Sequence, residues 1–253
     1  MTFQLTEPIL LIGLGGVGVS LAEKAKKSLN SDCLMISHDQ KDLTAENSIK
    51  ISTKSVVNPS THLIRGSTLE TSDEIKKNIA NYSTVILISN LAGKAGAGIG
   101  PIVSRICKQE QKNLLSFTIM PFKFEKERIF QSGIALKRIR QDSQCTIVVD
   151  NDALLDSNPD LTQKQCYDIS NKAIDGVMHS LKSSEISEDI NILSTGKATD
   201  DIESSLKDSL RMLYEDAPPN SIKRSILYVY GGSNIPVGVL NTISKITGGT
   251  FDE

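Results

Sequence analysis

Two glycine-rich stretches of this chain have the composition of loops that bind phosphate groups. The first, Gly13-Leu-Gly-Gly-Val-Gly18, follows the apolar run at residues 9–12, and the second, residues 89–101, follows the apolar run at residues 85–88. Each leads from a predicted buried strand into a helical pattern, where glycine lets the backbone approach a ligand closely. Backbone amides at a helix start attract anions, so both stretches are predicted to bind phosphate. The alternative is that the glycines only tighten a turn or form a flexible connection.

Apolar strands that alternate with amphipathic helices predict how these loops are positioned. Strands are predicted at residues 9–12, 33–37, 85–88, 114–119 and 145–149, with an edge strand near 49–51. Helices are predicted after each glycine stretch, from about residue 71, through residues 129–139 and over residues 163–181. This alternation predicts an α/β fold with a doubly wound, mostly parallel sheet. Ligands of such sheets bind at the carboxyl ends of the strands, where both glycine stretches lie.

Changes in composition divide the chain into three predicted parts. Residues 1–162 form a nucleotide-binding domain, residues 163–182 a long central helix, and residues 183–253 a reduced α+β C-terminal domain. The boundary is placed at the polar segment 183–189. Beyond it the pattern predicts a helix near 202–214, a linker containing Pro218 and Pro219, a strand at 226–230, a turn at 231–232 and a helix at 236–246.

The overall composition is that of a soluble globular protein. The 253 residues are 39% hydrophobic with a net charge of −2 and no basic block, so no nucleic-acid partner is expected. The apolar runs fall far short of the roughly 20 residues that span a bilayer, so no direct membrane insertion is expected. The four cysteines form no C-x-x-C pair and the three histidines show no metal-ligand spacing. Without a signal peptide, a cytoplasmic protein with reduced, buried thiols and no metal cluster is expected.

Five motifs in order resemble the FtsZ/tubulin family of cytoskeletal GTPases. The first glycine stretch resembles that family's first nucleotide loop, and residues 89–101 resemble its signature loop, G-G-G-T-G-T-G before a proline. Pro121-Phe-Lys-Phe-Glu125 matches the segment P-F-x-F-E, and Asn151-Asp-Ala-Leu-Leu155 matches N-D-x-L-L. Tyr167-Asp-Ile-Ser-Asn171 matches an aromatic residue followed four positions later by Asn or Asp. Over roughly residues 7–182 the chain therefore resembles a divergent, archaeal-type FtsZ-like member.

This resemblance implies a bound guanine nucleotide, GTP or GDP, with Mg²⁺ as the usual companion of a triphosphate. It implies self-association or co-assembly with FtsZ-like subunits. Glu125 is then the acceptor for the ribose hydroxyls with Arg128 nearby, while Tyr167 stacks on the purine and Asn171 reads its edge. Without the resemblance, Tyr167 and Asn171 form an ordinary half-exposed helix face. The full nucleotide-binding set that it implies is Gly15, Gly16, Gly18, Ser20, Gly93, Lys94, Ala95, Gly96, Ala97, Gly98, Glu125, Arg128, Asn151, Tyr167 and Asn171.

The chain also departs from the family pattern. Ala95 and Ala97 stand where the signature loop has threonines, so threonine at both positions is expected to tighten GTP binding. Lys94 replaces a glycine and supplies a charge instead. Arg65-Gly-Ser-Thr68 is the expected remnant of a shortened phosphate loop. The family's N-x-D-x-x-D motif, whose acids activate the hydrolytic water across a subunit interface, is reduced here to Glu188 and Asp189.

Three functional interpretations stay open at this point. The first is a GTP-binding cytoskeletal protein of cell division or filament assembly, with weak or absent hydrolysis, or with slow assembly-dependent hydrolysis through Glu188 and Asp189. The second is a nucleotide-free FtsZ-like scaffold. The third is an NAD(P)-dependent oxidoreductase, since the first glycine stretch fits a dinucleotide fingerprint and Asp39 lies near the end of the second strand. The second glycine stretch has no role in that third interpretation.

Overall fold

A computed structural model of the chain describes residues 2–54, 57–183, 186–197, 201–217, 226–227 and 241. The strands are β1 Thr2–Phe3, β2 Ile9–Leu14, β3 Asp32–Ser37, β4 Ser48–Lys50, β5 Thr84–Asn90, β6 Asn113–Met120, β7 Cys145–Asp150, β8 Ile186–Ser187 and β9 Asp189–Ile192. The helices are α1 Gly15–Ala25, α2 Thr61–Glu70, α3 Ser72–Ile79, α4 Lys94–Gln109, α5 Lys126–Asp142, α6 Asn151–Ser157, α7 Gln163–Ser180 and α8 Ile202–Asp216. In the part of the chain that is described, every helix is too short or too polar to cross a membrane.

Seven strands form the main sheet, in the order β4-β3-β2-β5-β6-β7-β9. The strands from β4 to β6 pair in parallel, and β2 lies between β3 and β5. The chain therefore runs outward from β2 in one direction and then returns to continue in the other, as a doubly wound sheet does. The predicted α/β fold with a mostly parallel sheet is confirmed. Leu14 lies opposite Ser89, so the carboxyl ends of β2 and β5, where the glycine stretches begin, are neighbours.

The helix that follows the second glycine stretch, α4, is held by apolar contacts on several sides. Ile99 of α4 is fully buried in a cluster with Ile64 of α2 and Ile75 of α3, together with side chains of β2, β3 and β5. A smaller cluster joins Ala97 of α4 to Ile139 of α5. Burial of this kind fixes the start of α4 relative to the end of β5.

Helix α2 corrects one prediction, because Arg65-Gly-Ser-Thr68 lies inside it and forms no loop. The Ser60 side chain caps the helix by accepting a hydrogen bond from the Leu63 amide at 3.3 Å. The Thr68 hydroxyl donates to the carbonyl of Ile64 at 2.7 Å. Serine and threonine here satisfy helical backbone groups, so a composition typical of a loop conceals a helix with one buried face.

The chain divides into two compact units whose boundaries differ from those predicted at residues 162 and 182. The first contains Met1–Val149 and Met178–Asn191, and the second contains Asp150–Val177 and Ile192–Glu253. Residues 186–191 belong to the first unit because β8 pairs with β1 and the Asp189 amide donates to the carbonyl of Gln144 at 2.8 Å. A polar segment that seemed to separate domains therefore contributes edge strands.

The second unit contains α6, most of α7 and α8, and α8 is the helix predicted near 202–214. Helices α6 and α8 pack against each other within this unit. The predicted strand at 226–230, the turn at 231–232 and the helix at 236–246 lie outside the described residues, apart from residues 226, 227 and 241.

The four cysteine thiols, Cys33, Cys107, Cys145 and Cys166, are free and buried, as predicted. Burial raises the pKa of Cys107 to about 12. A thiol with so high a pKa is neither a nucleophile nor a metal ligand at neutral pH, so its role is packing.

Candidate functional site

The first glycine stretch forms the junction between β2 and α1. Helix α1 begins at Gly15, which has a φ of +64° that favours glycine. A Cβ at Gly18 would lie 2.5 Å from the carbonyl oxygen of Ile88, so Gly18 serves the close packing of α1 on β5. Ser20, one turn into the helix, is exposed. The first amides of α1 have no carbonyl partner within the helix, which leaves them available to an anion.

The second glycine stretch changes which amides are available for phosphate. The Gly93 amide donates to the carbonyl of Asn90 at 3.1 Å and is therefore engaged. Gly98 lies in the second turn of α4, where amides are bonded within the helix. The amides of the first turn belong to Lys94, Ala95 and Gly96. Gly93 and Gly98 stay predicted nucleotide contacts, but their backbone amides already have hydrogen-bond partners in the protein.

Gly96 and Gly98 are needed for packing as well. A Cβ at Gly96 would collide with the backbone carbonyl of Asn90, at 2.7 Å from its carbon. A Cβ at Gly98 would lie 2.9 Å from the side chain of Ile64 on α2. These two glycines therefore let α4 lie directly against β5 and α2, which a purely phosphate-binding role would not require.

The two glycine stretches meet in the folded chain. A Cβ at Gly15 would lie only 2.9 Å from the Cβ of Ala95, so the starts of α1 and α4 touch at this pair. Two helix N-termini, each with free amides and a positive dipole end, thus converge at the carboxyl ends of adjacent parallel strands. We call the group of Gly15, Gly16, Lys94, Ala95 and Gly96 the cradle.

Charged side chains surround the cradle, and sequence reasoning did not identify all of them. The Lys94 ammonium donates to the Asn58 side-chain oxygen at 2.5 Å. Burial lowers the pKa of the His38 imidazole, whereas Asp39 and Asp42 act to raise it and Lys94 to lower it further. The Nδ1 atom of His38 is buried and has no hydrogen-bond partner within the described ranges. His38 follows a strand directly, which is a signal for this position, but nothing in the sequence points to Asn58 or Asp42.

Tighter GTP binding with threonine at positions 95 and 97 stays a prediction, and the structure shows that both alanines are buried. Ala95 is 5% exposed and its methyl group faces Gly15. Ala97 is 3% exposed and packs with Leu91 and Ile139. Because both methyl groups are buried, a threonine at either position has to fit among packed neighbours.

Glu125 and Arg128 lie together at the start of α5. The Arg128 guanidinium donates to Glu125 at 2.6 Å, and the second Glu125 oxygen accepts the Phe122 amide at 3.3 Å. The Glu125 side chain is 12% exposed and that of Arg128 is 60% exposed. The carboxylate is therefore held in place by a backbone amide while the guanidinium lies mostly in solvent.

The second unit contains the three remaining residues that are predicted to contact the nucleotide. Asn151 is buried, and its side-chain oxygen accepts the Ser170 hydroxyl at 2.5 Å. Tyr167 and Asn171 are half-buried and lie one turn apart on α7. The Asn171 side-chain oxygen is buried without a hydrogen-bond partner in the described part of the chain. An unpaired buried acceptor costs free energy unless a ligand donor reaches it.

Glu188 and Asp189 lie at the opposite end of the strands from the cradle. The backbone amide of Asp189 donates to the backbone carbonyl of Gln144, and the backbone amide of Gln144 donates to the carbonyl of Leu114 at the start of β6. These contacts place Asp189 at the amino end of the strands, whereas the cradle follows the carboxyl ends. Both acidic residues are exposed, and Asp189 lies 3.8 Å from the Arg140 guanidinium.

Comparison with protein families gives one match that covers more than half of the chain. The model described as the Tubulin/FtsZ family, GTPase domain, matches residues 8–159. The cell division protein FtsZ 2 of Halobacterium salinarum is 27% identical over 100 residues, which is 40% of this chain and 25% of that protein. The cell division protein FtsZ of Haloferax mediterranei is 30% identical over 107 residues, which is 42% of this chain and 28% of that protein. The chain thus aligns with about a quarter of the length of these relatives.

Solved structures resemble the chain in fold. The FtsZ W319Y mutant of M. jannaschii has a TM-score of 0.70 at 16% identity, covering 96% of this chain and 82% of that chain. An empty FtsZ dimer of M. jannaschii gives a TM-score of 0.60 at 18% identity, covering 81% and 61%. TubZ of the Clostridium botulinum phage c-st, with its C-terminal tail truncated, gives 0.56 at 17% identity, covering 81% and 74%.

Proposed function

The chain belongs to the Tubulin/FtsZ family, and we propose on that premise that it binds a guanine nucleotide. The observation that carries the proposal is the contact between Gly15 and Ala95, which brings two helix N-termini together as one cradle. A helix N-terminus favours an anion through its free amides and its dipole, and two of them favour a polyphosphate. Lys94 adds a positive charge at the same place.

Side chains suited to contact the ribose and the base also support the proposal. The Glu125 carboxylate is an acceptor held ready for the two ribose hydroxyls, and Arg128 pairs with it. In the second unit, Tyr167 offers a ring for stacking, and the unpaired oxygen of Asn171 accepts an N–H group. Guanine presents an N1–H and an amino group on one edge, whereas adenine has an acceptor at its N1. Asn151 and Ser20 stay predicted contacts of the nucleotide.

We further propose that the chain associates with itself or with FtsZ-like subunits in the cytoplasm, in a filament that serves cell division. The structural neighbour described as an FtsZ dimer supports self-association. Hydrolysis is weak or absent in this proposal, because only Glu188 and Asp189 stand in for the family's acidic motif. Asp189 lies at the amino end of the strands and the cradle at their carboxyl end, so Asp189 would act on a nucleotide held by a neighbouring subunit. Mg²⁺ accompanies the triphosphate where one is bound.

One observation favours a second candidate, an FtsZ-like scaffold that has lost its nucleotide. The carboxylate of Asp42 lies against Gly16 in the cradle and gives the helix start a negative charge without any ligand. The oxidoreductase interpretation receives no comparable support, because the Asp39 carboxylate accepts the Lys41 amide at 3.0 Å and caps a short 3₁₀ helix.

Nucleotide released by heat from the purified protein, identified by chromatography, separates the three interpretations. GDP or GTP supports the proposal, NAD(P) supports the oxidoreductase, and an empty protein that ignores added GDP supports the scaffold. Asn171→Ala is expected to weaken GDP binding about tenfold by calorimetry, since one base contact of about 1.4 kcal/mol is lost. Lys172→Ala, on the same helix and exposed, serves as the matched control and should bind as the wild type does.

Phosphate release from GTP, followed as a function of protein concentration, tests the hydrolysis proposal. Asp189→Asn is the suitable variant, because Asp189 has a φ of +80° and asparagine tolerates that conformation. We expect slow release in both proteins. Rapid, concentration-dependent release that Asp189→Asn abolishes would instead establish an assembly-dependent GTPase.

A further inference from the structure

The Asp42 carboxylate lies against the first two residues of α1. One of its oxygens lies 2.9 Å from the position that a Cβ at Gly16 would take. The other lies 3.9 Å from the corresponding position at Gly15. These are the residues whose amides the proposed function assigns to a phosphate group, so Asp42 and a phosphate would share one small region.

Local structure holds this carboxylate in place. Asp42 ends a 3₁₀ helix at Gln40–Asp42, and its amide donates to the carbonyl of Asp39 at 3.2 Å. The Ser37 hydroxyl, which is fully buried, donates to the second carboxylate oxygen at 2.6 Å. The same Ser37 oxygen accepts the Asp39 amide at 3.1 Å. The carboxylate is thus fixed by a hydrogen bond from a buried donor on the end of β3.

The cationic groups nearby do not neutralise Asp42. The Lys94 ammonium is engaged with Asn58, and no hydrogen bond or ion pair joins it to Asp42 in the described residues. Burial favours the neutral form of His38. The positive group that faces Asp42 is therefore the N-terminus of α1 itself, and a carboxylate there is favourable because of the helix dipole.

We propose that Asp42 is a built-in competitor for the phosphate position and sets the affinity of the cradle for nucleotide. This inference rests on the proposed nucleotide binding. When the cradle is empty, the carboxylate compensates the start of α1. When a phosphate binds, two negative charges lie within a few ångströms in a partly buried region, and their repulsion weakens binding.

Calorimetric titration with GDP, in EDTA and at constant ionic strength, tests the proposal with Asp42→Asn. The side chain keeps its size and its place beside Ser37 but loses its charge. We expect the Kd for GDP to fall at least tenfold relative to the wild type. Asp39→Asn is the matched control, because it removes the same charge from the N-cap of this short helix, and Asp39 is not among the atoms within 4 Å of the Cβ positions at Gly15 and Gly16. Its Kd should stay within about threefold of the wild type.

Ionic strength provides a second readout that a merely structural role would not change. Because added salt screens charge repulsion, the ratio of the wild-type Kd to that of Asp42→Asn should shrink between about 50 and 500 mM KCl. The melting temperature without nucleotide should also fall in Asp42→Asn, since the helix start loses its compensating charge.

Two outcomes would overturn the inference in different ways. If the wild type binds GDP and Asp42→Asn binds it equally or more weakly, with or without Mg²⁺, Asp42 is not a competitor, while the proposed function stands. If neither protein binds GDP, the proposed function fails and the inference fails with it.

Discussion

Replacing Gly96 by alanine tests whether α4 is seated on β5 as closely as the structure indicates. The added Cβ would collide with the Asn90 carbonyl oxygen and lie 2.7 Å from its carbon, and real Cβ atoms essentially never come within 3.0 Å of a neighbour. The obstacle is backbone, which no rotamer change can remove, so α4 has to move away from β5. Overpacking of this kind costs about 1–3 kcal/mol or more, and the gain of up to about 1 kcal/mol in helix propensity offsets only part of it.

Gly66→Ala gives the matched control for this substitution. Gly66 is also inside a helix, but no atom lies within 4 Å of the added Cβ, so only the favourable propensity remains. Gly66→Ala is therefore expected to stabilise the protein by about 0.5–1 kcal/mol, and Gly133→Ala in α5 should behave in the same way.

Thermal unfolding followed by circular dichroism measures the difference. For a chain of this size 1 kcal/mol corresponds to about 2–4 °C, so with a net loss of about 2 kcal/mol Gly96→Ala should melt about 4–8 °C lower than the wild type, and Gly66→Ala should melt about 1–4 °C higher. The reasoning would be refuted by a Gly96→Ala variant that melts with the wild type, or by a Gly66→Ala variant that loses as much as Gly96→Ala.

Three further predictions concern His38, the buried thiols and Ala95. Burial lowers the pKa of the His38 imidazole in the folded protein, so the unfolded chain is protonated at a higher pH than the folded one. The free energy of unfolding of the wild type, relative to that of His38→Asn, should therefore fall as the pH drops from about 7.5 through the unfolded-state pKa of about 6.5. A difference in urea unfolding that stays constant with pH would contradict this. Burial raises the pKa of Cys145 to about 12, so the native thiols should not react with Ellman's reagent until urea unfolds the protein. Ala95→Thr should lower the melting temperature by several degrees, because Ala95 is 5% exposed and a larger side chain overpacks its surroundings; unchanged melting would show that the site has room for the larger side chain.

The sequence predicts the sheet and both glycine loops because these features are local. Apolar runs such as residues 85–88 coincide with buried strand positions, and glycine-rich junctions follow them directly. Helix α2 could not be predicted in the same way, because Thr61, Thr68 and Ser60 have the composition of a loop and their helical role depends on burial against α4.

The parts of the site that depend on tertiary contacts were not predictable. Asp42 is one acidic residue among 30 Asp and Glu residues, and only its position beside Gly16 distinguishes it. Likewise, nothing in the sequence shows that the Gly93 amide donates to the Asn90 carbonyl, or that the Lys94 ammonium donates to the Asn58 side chain. Spacing along the chain identifies which loops meet. Which backbone amides are free, and which charged side chains lie beside them, depends on the packing between helices and strands.

The contact between Gly15 and Ala95 also limits how this chain can be engineered or can diverge. A Cβ at position 15 would collide with the Ala95 methyl group, so position 15 has to stay glycine while a side chain occupies position 95. The residue at position 95 and the first loop are therefore coupled, and a change in one has to be compatible with the other. In chimeras and in evolution, the two loops should be exchanged together as one inherited unit.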